Sequence, residues 1–141
     1  MATERSLILL KPDCVTKGHC GAVIDRFEKT GLKILGTKMM QLSNEILTEH
    51  YSHVADRPFF PNIRDFMQSA PVIGIVLRGD DAIKTVRDML GPTNSQEAEK
   101  GTIRGDFGTD MMVNVCHASD SPENGEIEVN RFFEASELFD Y

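Results

Sequence analysis

Four strand-like runs, separated by segments with helical spacing, constrain the fold of this chain more than any other feature. The clearest is Pro71–Leu77, which is apolar throughout, as is typical of a strand covered on both faces. The other three predicted strands are Ser6–Leu10, Lys33–Gln41 and Met112–Cys116. Each run is far shorter than a membrane span, so we expect no membrane partner.

Helical spacing and capping residues predict five helices between and after these strands. They are Gly21–Gly31, Ser43–Ser52, a short helix ending at Met67, a helix from Asp80 or Asp81 to Leu90, and Glu123–Phe133. The order predicts an α/β (α+β) sandwich with a ferredoxin-like βαββαβ core, added helices and a long loop. A small doubly wound sheet is the alternative that the pattern leaves open.

Length, charge and cysteine content narrow the class of protein. The 141 residues predict one domain over residues 1–141. A net charge of −7 opposes a diffuse basic surface, so we expect no specific nucleic-acid partner. A polyphosphate can bind such an acidic chain only where basic side chains cluster locally, or where a divalent cation neutralises part of the phosphate charge. Three widely spaced cysteines without CxxC, and an N-terminus without a signal-cleavage site, favour a cytoplasmic location.

The stretch Gly101–Ser121 carries the strongest chemical signal. His117 follows the last apolar run and precedes a polar turn, and Arg104 lies upstream in a glycine-flanked turn. Neutral imidazole is a competent nucleophile near pH 7, and guanidinium groups suit phosphate oxygens. The stretch therefore suggests a histidine that meets phosphate, with a buried, backbone-bonded histidine as the alternative. The polar loop of about twenty residues before it is long for a compact domain, which favours a functional loop.

Two further sites carry weaker signals. Lys11 follows the first predicted strand at its carboxyl end, where open α/β sheets tend to bind ligands; the alternative is a solvated lysine. Phe59 and Phe60 lie between prolines on a polar connection. Each ring could stack on a nucleobase or anchor the loop in the core.

Thiol and metal chemistry receive little support. Adjacent residues of a strand face opposite sides, so Cys116 should face the core if His117 faces a cleft. The other histidines, His19, His50 and His53, are scattered without the spacing of a metal site.

Taken together, the motifs resemble those of nucleoside diphosphate kinases of the bacterial type with a short C-terminus. The matching segments are Lys11–Asp13, Arg57–Phe60, Thr102–Phe107 and Asn114–Ser121, and the resemblance runs in register over essentially the whole chain. The N-x-x-H-x-S-D-S element is highly specific. The resemblance implies ping-pong transfer of a γ-phosphoryl group, through a phosphohistidine at His117, between nucleoside tri- and diphosphates. It also implies Mg²⁺ bound through the nucleotide phosphates rather than in a protein cage.

The same resemblance assigns roles to the other site residues. The residues that it implies for binding phosphates or ribose hydroxyls are Lys11, Arg87, Thr93, Arg104 and Asn114. It implies that the base stacks on Phe59, near Ile63 and Met111. It also implies that Tyr51 lies beside the histidine and that Ser119 and Glu128 fix the imidazole. For Glu128 the helical spacing gives independent support, because it predicts Ile127 and Phe133 toward the core and Glu128 near the rim.

Three residues depart from the family pattern. Cys14 stands where glycine, alanine or another small residue is usual, Ala118 where glycine is common, and Ser95 where the family often has proline. Family members are usually hexamers and bacterial ones sometimes tetramers, so the resemblance implies a homo-oligomer. Because the loop that holds Ser95 helps subunits pack in the family, this departure concerns assembly.

Two other classes compete with the enzyme. One is a ferredoxin-like module that senses nucleotide without turnover, and it would have no need of His117. The other is a nucleic-acid-binding domain, which the net charge of −7 and the lack of paired aromatics on central strands oppose.

Overall fold

A computed structural model describes residues 3–141 of the chain. Its four strands are β1 (Thr3–Leu10), β2 (Lys33–Met40), β3 (Val72–Asp80) and β4 (Cys116–Ala118). They form one sheet in the order β2-β3-β1-β4, and every neighbouring pair is antiparallel. This arrangement confirms the ferredoxin-like core and rules out the doubly wound alternative, whose strands are mostly parallel.

Seven α-helices surround the sheet. They are α1 (Pro12–Thr16), α2 (Cys20–Glu28), α3 (Asn44–His50), α4 (Phe60–Met67), α5 (Ala82–Leu90), α6 (Ile103–Phe107) and α7 (Pro122–Phe132). Short 3-10 turns cover Ser95–Glu97 and Ala135–Glu137. The predicted cap of α3 is confirmed, since the Ser43 hydroxyl accepts the Ile46 N–H at 3.2 Å. In the part of the chain described, no helix is long and apolar enough to cross a membrane.

Alternation along the central strands explains why both faces of the sheet are covered. On β1, Ile8 and Leu10 pack into the cluster beneath α2 and α5. Leu7 and Leu9 point the other way, into a cluster with residues of α3, α4 and α7. Successive side chains of a strand face opposite sides of the sheet. A strand that is apolar at every position must therefore be covered by other elements on both faces. The run Leu7–Leu10 of the first predicted strand has this property, and the strand lies at the centre of the sheet.

The last predicted strand, Met112–Cys116, is wrong in its bounds, because β4 begins only at Cys116. The chain turns at Val115, which has a φ of +78°. A β-branched residue rarely adopts this conformation, so the surroundings must hold it there. They do so through two hydrogen bonds: the Val115 N–H donates to Asp13 Oδ2 at 3.1 Å, and the Val115 carbonyl accepts the Lys11 N–H at 2.9 Å. The turn ties the residues before His117 to the end of β1.

The loop before β4 is more ordered than its composition suggests. Arg104 lies on α6 and not in a turn, and the Thr102 hydroxyl caps this helix by accepting the Gly105 N–H at 3.0 Å. The predicted turn after β1 is also a short helix, α1, with Pro12 at its first turn. Both helices were missed because their five residues show no full period of apolar spacing.

Candidate active site

Two adjoining pockets meet at His117. The first, which we call the cationic pocket, has a volume of about 350 Å³. It brings together nine of the twelve predicted site residues: Lys11, Tyr51, Ile63, Arg87, Thr93, Arg104, Met111, Asn114 and His117. The second, the polar pocket, has a volume of about 480 Å³, and Glu128 lines it. His117 also lines the polar pocket, so its ring is reachable from both sides.

Glu128 and Ser119 fix the imidazole of His117 as predicted. Glu128 Oε1 lies 2.9 Å from His117 Nε2 and accepts the Ser119 hydroxyl at 2.6 Å. Burial alone would raise the pKa of Glu128, but the bonds from His117 and Ser119 hold it below its usual value. An ionised carboxylate only accepts, so the proton of the neutral ring is assigned to Nε2. Nδ1 therefore keeps a free electron pair.

The helix that carries Glu128 is rotated slightly from the prediction. Phe133 is buried as expected, but Ile127 is exposed and lines the polar pocket. The buried positions of α7 are instead Gly125, Val129 and Phe132. This rotation places Glu128 on the flank of the buried face, which gives its carboxylate access to the ring on β4.

His50 is a site residue that the sequence did not reveal. Its ring packs edge-on against the His117 ring, with centroids 4.6 Å apart and planes at 83°. Arg131 Nη1 donates to His50 Nδ1 at 2.9 Å. Burial and the charges of His117 and Arg131 lower the pKa of His50 to about 3, so the ring is neutral near pH 7. A signal did exist: His50 follows the buried Leu47 by three residues and so shares the apolar face of α3.

The cationic pocket concentrates positive charge in an acidic protein. Lys11, Arg87 and Arg104 line it, and none of its lining residues between positions 3 and 141 is a carboxylate. Burial and the neighbouring Arg104 lower the pKa of Lys11 to about 8. Burial lowers the pKa of Arg104 as well. The pocket therefore lacks a counter-anion, and a bound anion would relieve the repulsion within it.

Backbone carbonyls and one amide hold these cations in place. Arg104 donates to the carbonyls of Gly91, Asn114 and Cys116 at 3.3, 3.1 and 2.8 Å. Lys11 Nζ donates to Asn114 Oδ1 at 2.8 Å. A guanidinium has five N–H groups, so Arg104 keeps two for a ligand. Arg87 reaches the same region from α5 and donates to the Ala118 carbonyl at 3.3 Å.

The remaining predicted residues divide between core and surface. Phe60 is the loop anchor, since it is buried, whereas Phe59 is 48% exposed at the start of α4. Phe59 does not line either pocket near His117, so its predicted contact with a base stays a prediction. Cys116 is fully buried, which confirms that it faces the core. Ala118 lies two positions after Cys116 on the same face of β4 and also packs into the core. Its methyl group therefore faces away from the His117 ring.

One group of donors between positions 3 and 141 could hold a metal ion. His50, His117 and Glu128 place one ligand atom each within 4.8 Å of the others. Two imidazoles do not suit Mg²⁺, which prefers oxygen ligands and keeps several waters. Glu128 Oε1 is also already bonded to His117 and Ser119. The group therefore does not fit a protein-held Mg²⁺ ion.

Comparison with known proteins agrees with this geometry. The sequence model of the family described as nucleoside diphosphate kinase matches residues 4–138. The chain belongs to the nucleoside diphosphate kinase family. The nucleoside diphosphate kinase of Parabacteroides distasonis is 49% identical over 138 residues, which cover 98% of this chain and 90% of that protein. That of Staphylothermus marinus is 48% identical, and each chain is covered completely.

Solved structures of the family share the fold. The Aquifex aeolicus nucleoside diphosphate kinase superposes with a TM-score of 0.93 at 45% identity, covering 98% of this chain and all of the other. The Halobacterium salinarum nucleoside diphosphate kinase, solved in complex with CDP, gives a TM-score of 0.95 at 40% identity, with 99% and 93% coverage. These similarities extend over the sheet, the helices and the loop that together form the site.

Proposed function

We propose that this protein, as one domain, is a nucleoside diphosphate kinase that works through a phosphohistidine at His117. One observation carries the proposal: a histidine with its Nε2–H held by a carboxylate borders a pocket with three cations and no lining carboxylate. Membership of the kinase family gives the reaction, and this geometry supports the assignment of its residues.

The first half-reaction follows from the free nitrogen of the ring. His117 Nδ1 attacks the γ-phosphorus, the P–N bond forms, and the bond to the β-phosphate oxygen breaks as the diphosphate leaves. The Glu128 carboxylate stabilises the positive charge that grows on the ring, as a buried acid does beside other catalytic histidines. A second nucleoside diphosphate reverses the step. Because one covalent intermediate serves both halves, the kinetics are ping-pong.

The cationic pocket supplies the electrostatic part of catalysis. Phosphoryl transfer depends mainly on positioning and on stabilising charge on the equatorial oxygens. We assign this role to Lys11, Arg87 and Arg104, with Thr93 and Asn114 binding phosphate or ribose hydroxyls. The exposed ring of Phe59 stacks on the base, with Ile63 and Met111 beside it. Tyr51, whose pKa burial raises to about 12, contributes a neutral hydroxyl to the pocket that His117 borders.

We assign Mg²⁺ to the nucleotide rather than to the protein. The one three-donor group near His117 does not fit it, and phosphate oxygens are the ligands it prefers. When bound there, Mg²⁺ neutralises part of the phosphate charge in an acidic protein. The residues named above need only hold the phosphates and the ring.

Assembly and location complete the proposal. We propose a homo-oligomer, a hexamer or a tetramer, as the family resemblance implies. Strand β2, at the edge of the sheet with the exposed Met39, offers a surface for such association. Light scattering coupled to size-exclusion chromatography measures the mass of the assembly in solution. Three free cysteines, two of them buried, fit a cytoplasmic location.

One labelling experiment tests the reaction. Incubation with γ-labelled ATP should put acid-labile label on the protein, and GDP should remove it as GTP. His117→Ala should take no label while its circular dichroism is unchanged. The matched control is His53→Ala, because His53 is exposed and lines the polar pocket without contacting Glu128. Label on His117→Ala would refute the proposal, and wild-type protein that binds ATP but takes up no covalent label would favour a nucleotide sensor.

A further inference from the structure

Two cysteines meet where helices α1 and α2 adjoin. Cys14 Sγ lies 3.8 Å from Cys20 Sγ, and both are free thiols. Cys14 is buried, whereas Cys20 is partly exposed. The third cysteine, Cys116, is fully buried.

The turn between α1 and α2 fixes this proximity. The His19 N–H donates to the Cys14 carbonyl at 3.0 Å, and the Gly18 N–H donates to the Val15 carbonyl at 3.2 Å. With Gly18 at a φ of +74°, these bonds form a Schellman motif at the end of α1. The motif ties the backbone of residue 14 to that of residue 19, so Cys20 starts α2 directly opposite Cys14.

The two thiols differ in how readily an oxidant can attack them. Cys14 Sγ–H donates to Cys20 Sγ, which favours the thiolate at Cys20. Cys20 is also the one that a small oxidant can reach. Burial nevertheless raises the pKa of both thiols, most strongly that of Cys14. Oxidation should therefore begin at Cys20, proceed slowly at neutral pH and accelerate with alkali.

We propose that Cys14 and Cys20 form a redox-active pair that hydrogen peroxide converts into an intramolecular disulfide. The Cys20 thiolate attacks one peroxide oxygen, the O–O bond breaks, and hydroxide leaves and takes up a proton. The Cys14 sulfur then attacks the sulfur of the Cys20 sulfenic acid. The S–S bond forms, the S–O bond breaks, and the Cys14 proton leaves with the hydroxyl as water. Two thiols and one peroxide thus give one disulfide and two waters.

In this proposal, closing the bond draws α1 and α2 together. The sulfurs have to approach from 3.8 Å to roughly 2 Å. Helix α1 begins directly after Lys11 and contains Asp13, whose carboxylate accepts the Val115 N–H two residues before His117. A shift of α1 therefore reaches both the cationic pocket and the segment before β4. Misplacing catalytic groups by about 1 Å can cost up to about a hundredfold in rate, so we expect at least a tenfold loss on oxidation.

Thiol counting and peptide mapping test the chemistry without relying on activity. The reduced protein is freed of reductant, treated with hydrogen peroxide, denatured and alkylated. Two of the three cysteines should be protected, and the intact mass should fall by two hydrogens. Trypsin cuts after Lys17, so the disulfide should link peptides 6–17 and 18–26. Cys14→Ala and Cys20→Ala should each form no such link, while Cys116→Ala should still form it.

Two results would overturn the proposal. One is three alkylated cysteines after a peroxide dose that oxidises free glutathione completely. The other is Cys20 oxidised to sulfinic acid while Cys14 remains alkylatable. The link to the site has its own readout: the phosphotransfer rate should fall on oxidation, return with dithiothreitol, and stay constant in Cys14→Ala. An oxidised protein that carries the disulfide at full rate would refute that link.

Discussion

Replacing Glu128 with glutamine removes the negative charge beside the His117 ring while keeping the shape of the side chain. In the wild type, one carboxylate oxygen accepts from both His117 Nε2–H and the Ser119 hydroxyl, at 2.9 and 2.6 Å. The glutamine oxygen can still accept from both groups. It is neutral, however, so the ring loses the charged acceptor that holds its proton on Nε2 and stabilises positive charge on the ring.

The size of the effect follows from the loss of one hydrogen bond to a charged group. Such bonds contribute about 1.5–3 kcal/mol, and Glu128 is only 13% exposed, so solvent screens little of it. Each ~1.4 kcal/mol in the barrier is tenfold in rate. We therefore expect phosphorylation of His117 to slow by about ten- to a hundredfold, with nucleotide affinity nearly unchanged.

Single-turnover labelling with γ-labelled ATP in a quenched-flow instrument measures this step directly. The rate constant at saturating ATP should fall, while the ATP concentration at half-saturation should stay near the wild-type value. Glu123→Gln is the matched control, because Glu123 is exposed in the first turn of the same helix. Wild-type kinetics in a folded Glu128→Gln variant would show that the carboxylate does not orient the ring.

Three further predictions follow from the same site. Lys11→Ala should lower turnover by about a hundredfold, as for loss of one preorganised donor. A raised Michaelis constant at unchanged turnover would instead make Lys11 a ground-state binder. Purine and pyrimidine diphosphates should have specificity constants within about a thousandfold, because Phe59 offers only a stacking face; a larger preference would contradict this. Below pH 6.5 the unfolded chain protonates His50 and the folded chain does not until about pH 3. Stability should thus fall with decreasing pH, by about 2 kcal/mol at pH 5 relative to His50→Gln. Urea unfolding of both proteins at one concentration measures the difference, and parallel pH profiles would argue against a neutral buried His50.

The sequence predicted the fold well where periodicity and burial coincide. Strand β1 is apolar at four successive positions, Leu7–Leu10, and both of its faces are covered. The limits of α5 and α7 lie within about two residues of the prediction. The predicted capping bond of α5 is wrong, however, because Asp81 at its N-terminal boundary makes no side-chain capping bond. By contrast, β4 was placed too early. Apolar composition indicates a buried segment, but it does not reveal a left-handed turn at Val115 that Asp13 stabilises from 102 positions away.

In the candidate site too, sequence motifs identified some residues, whereas others became evident only from tertiary contacts. Motif resemblance identified Lys11, Arg104 and His117, and the fold brings them to one pocket. The motif resemblance did not identify His50, because the role of His50 depends on a contact with Arg131 that spans 81 positions and joins α3 to α7. Spacing shows which side of a helix faces inward, but not which side chain of another element it will meet. Residues that act on His117 through such contacts therefore become visible only once the helices are packed.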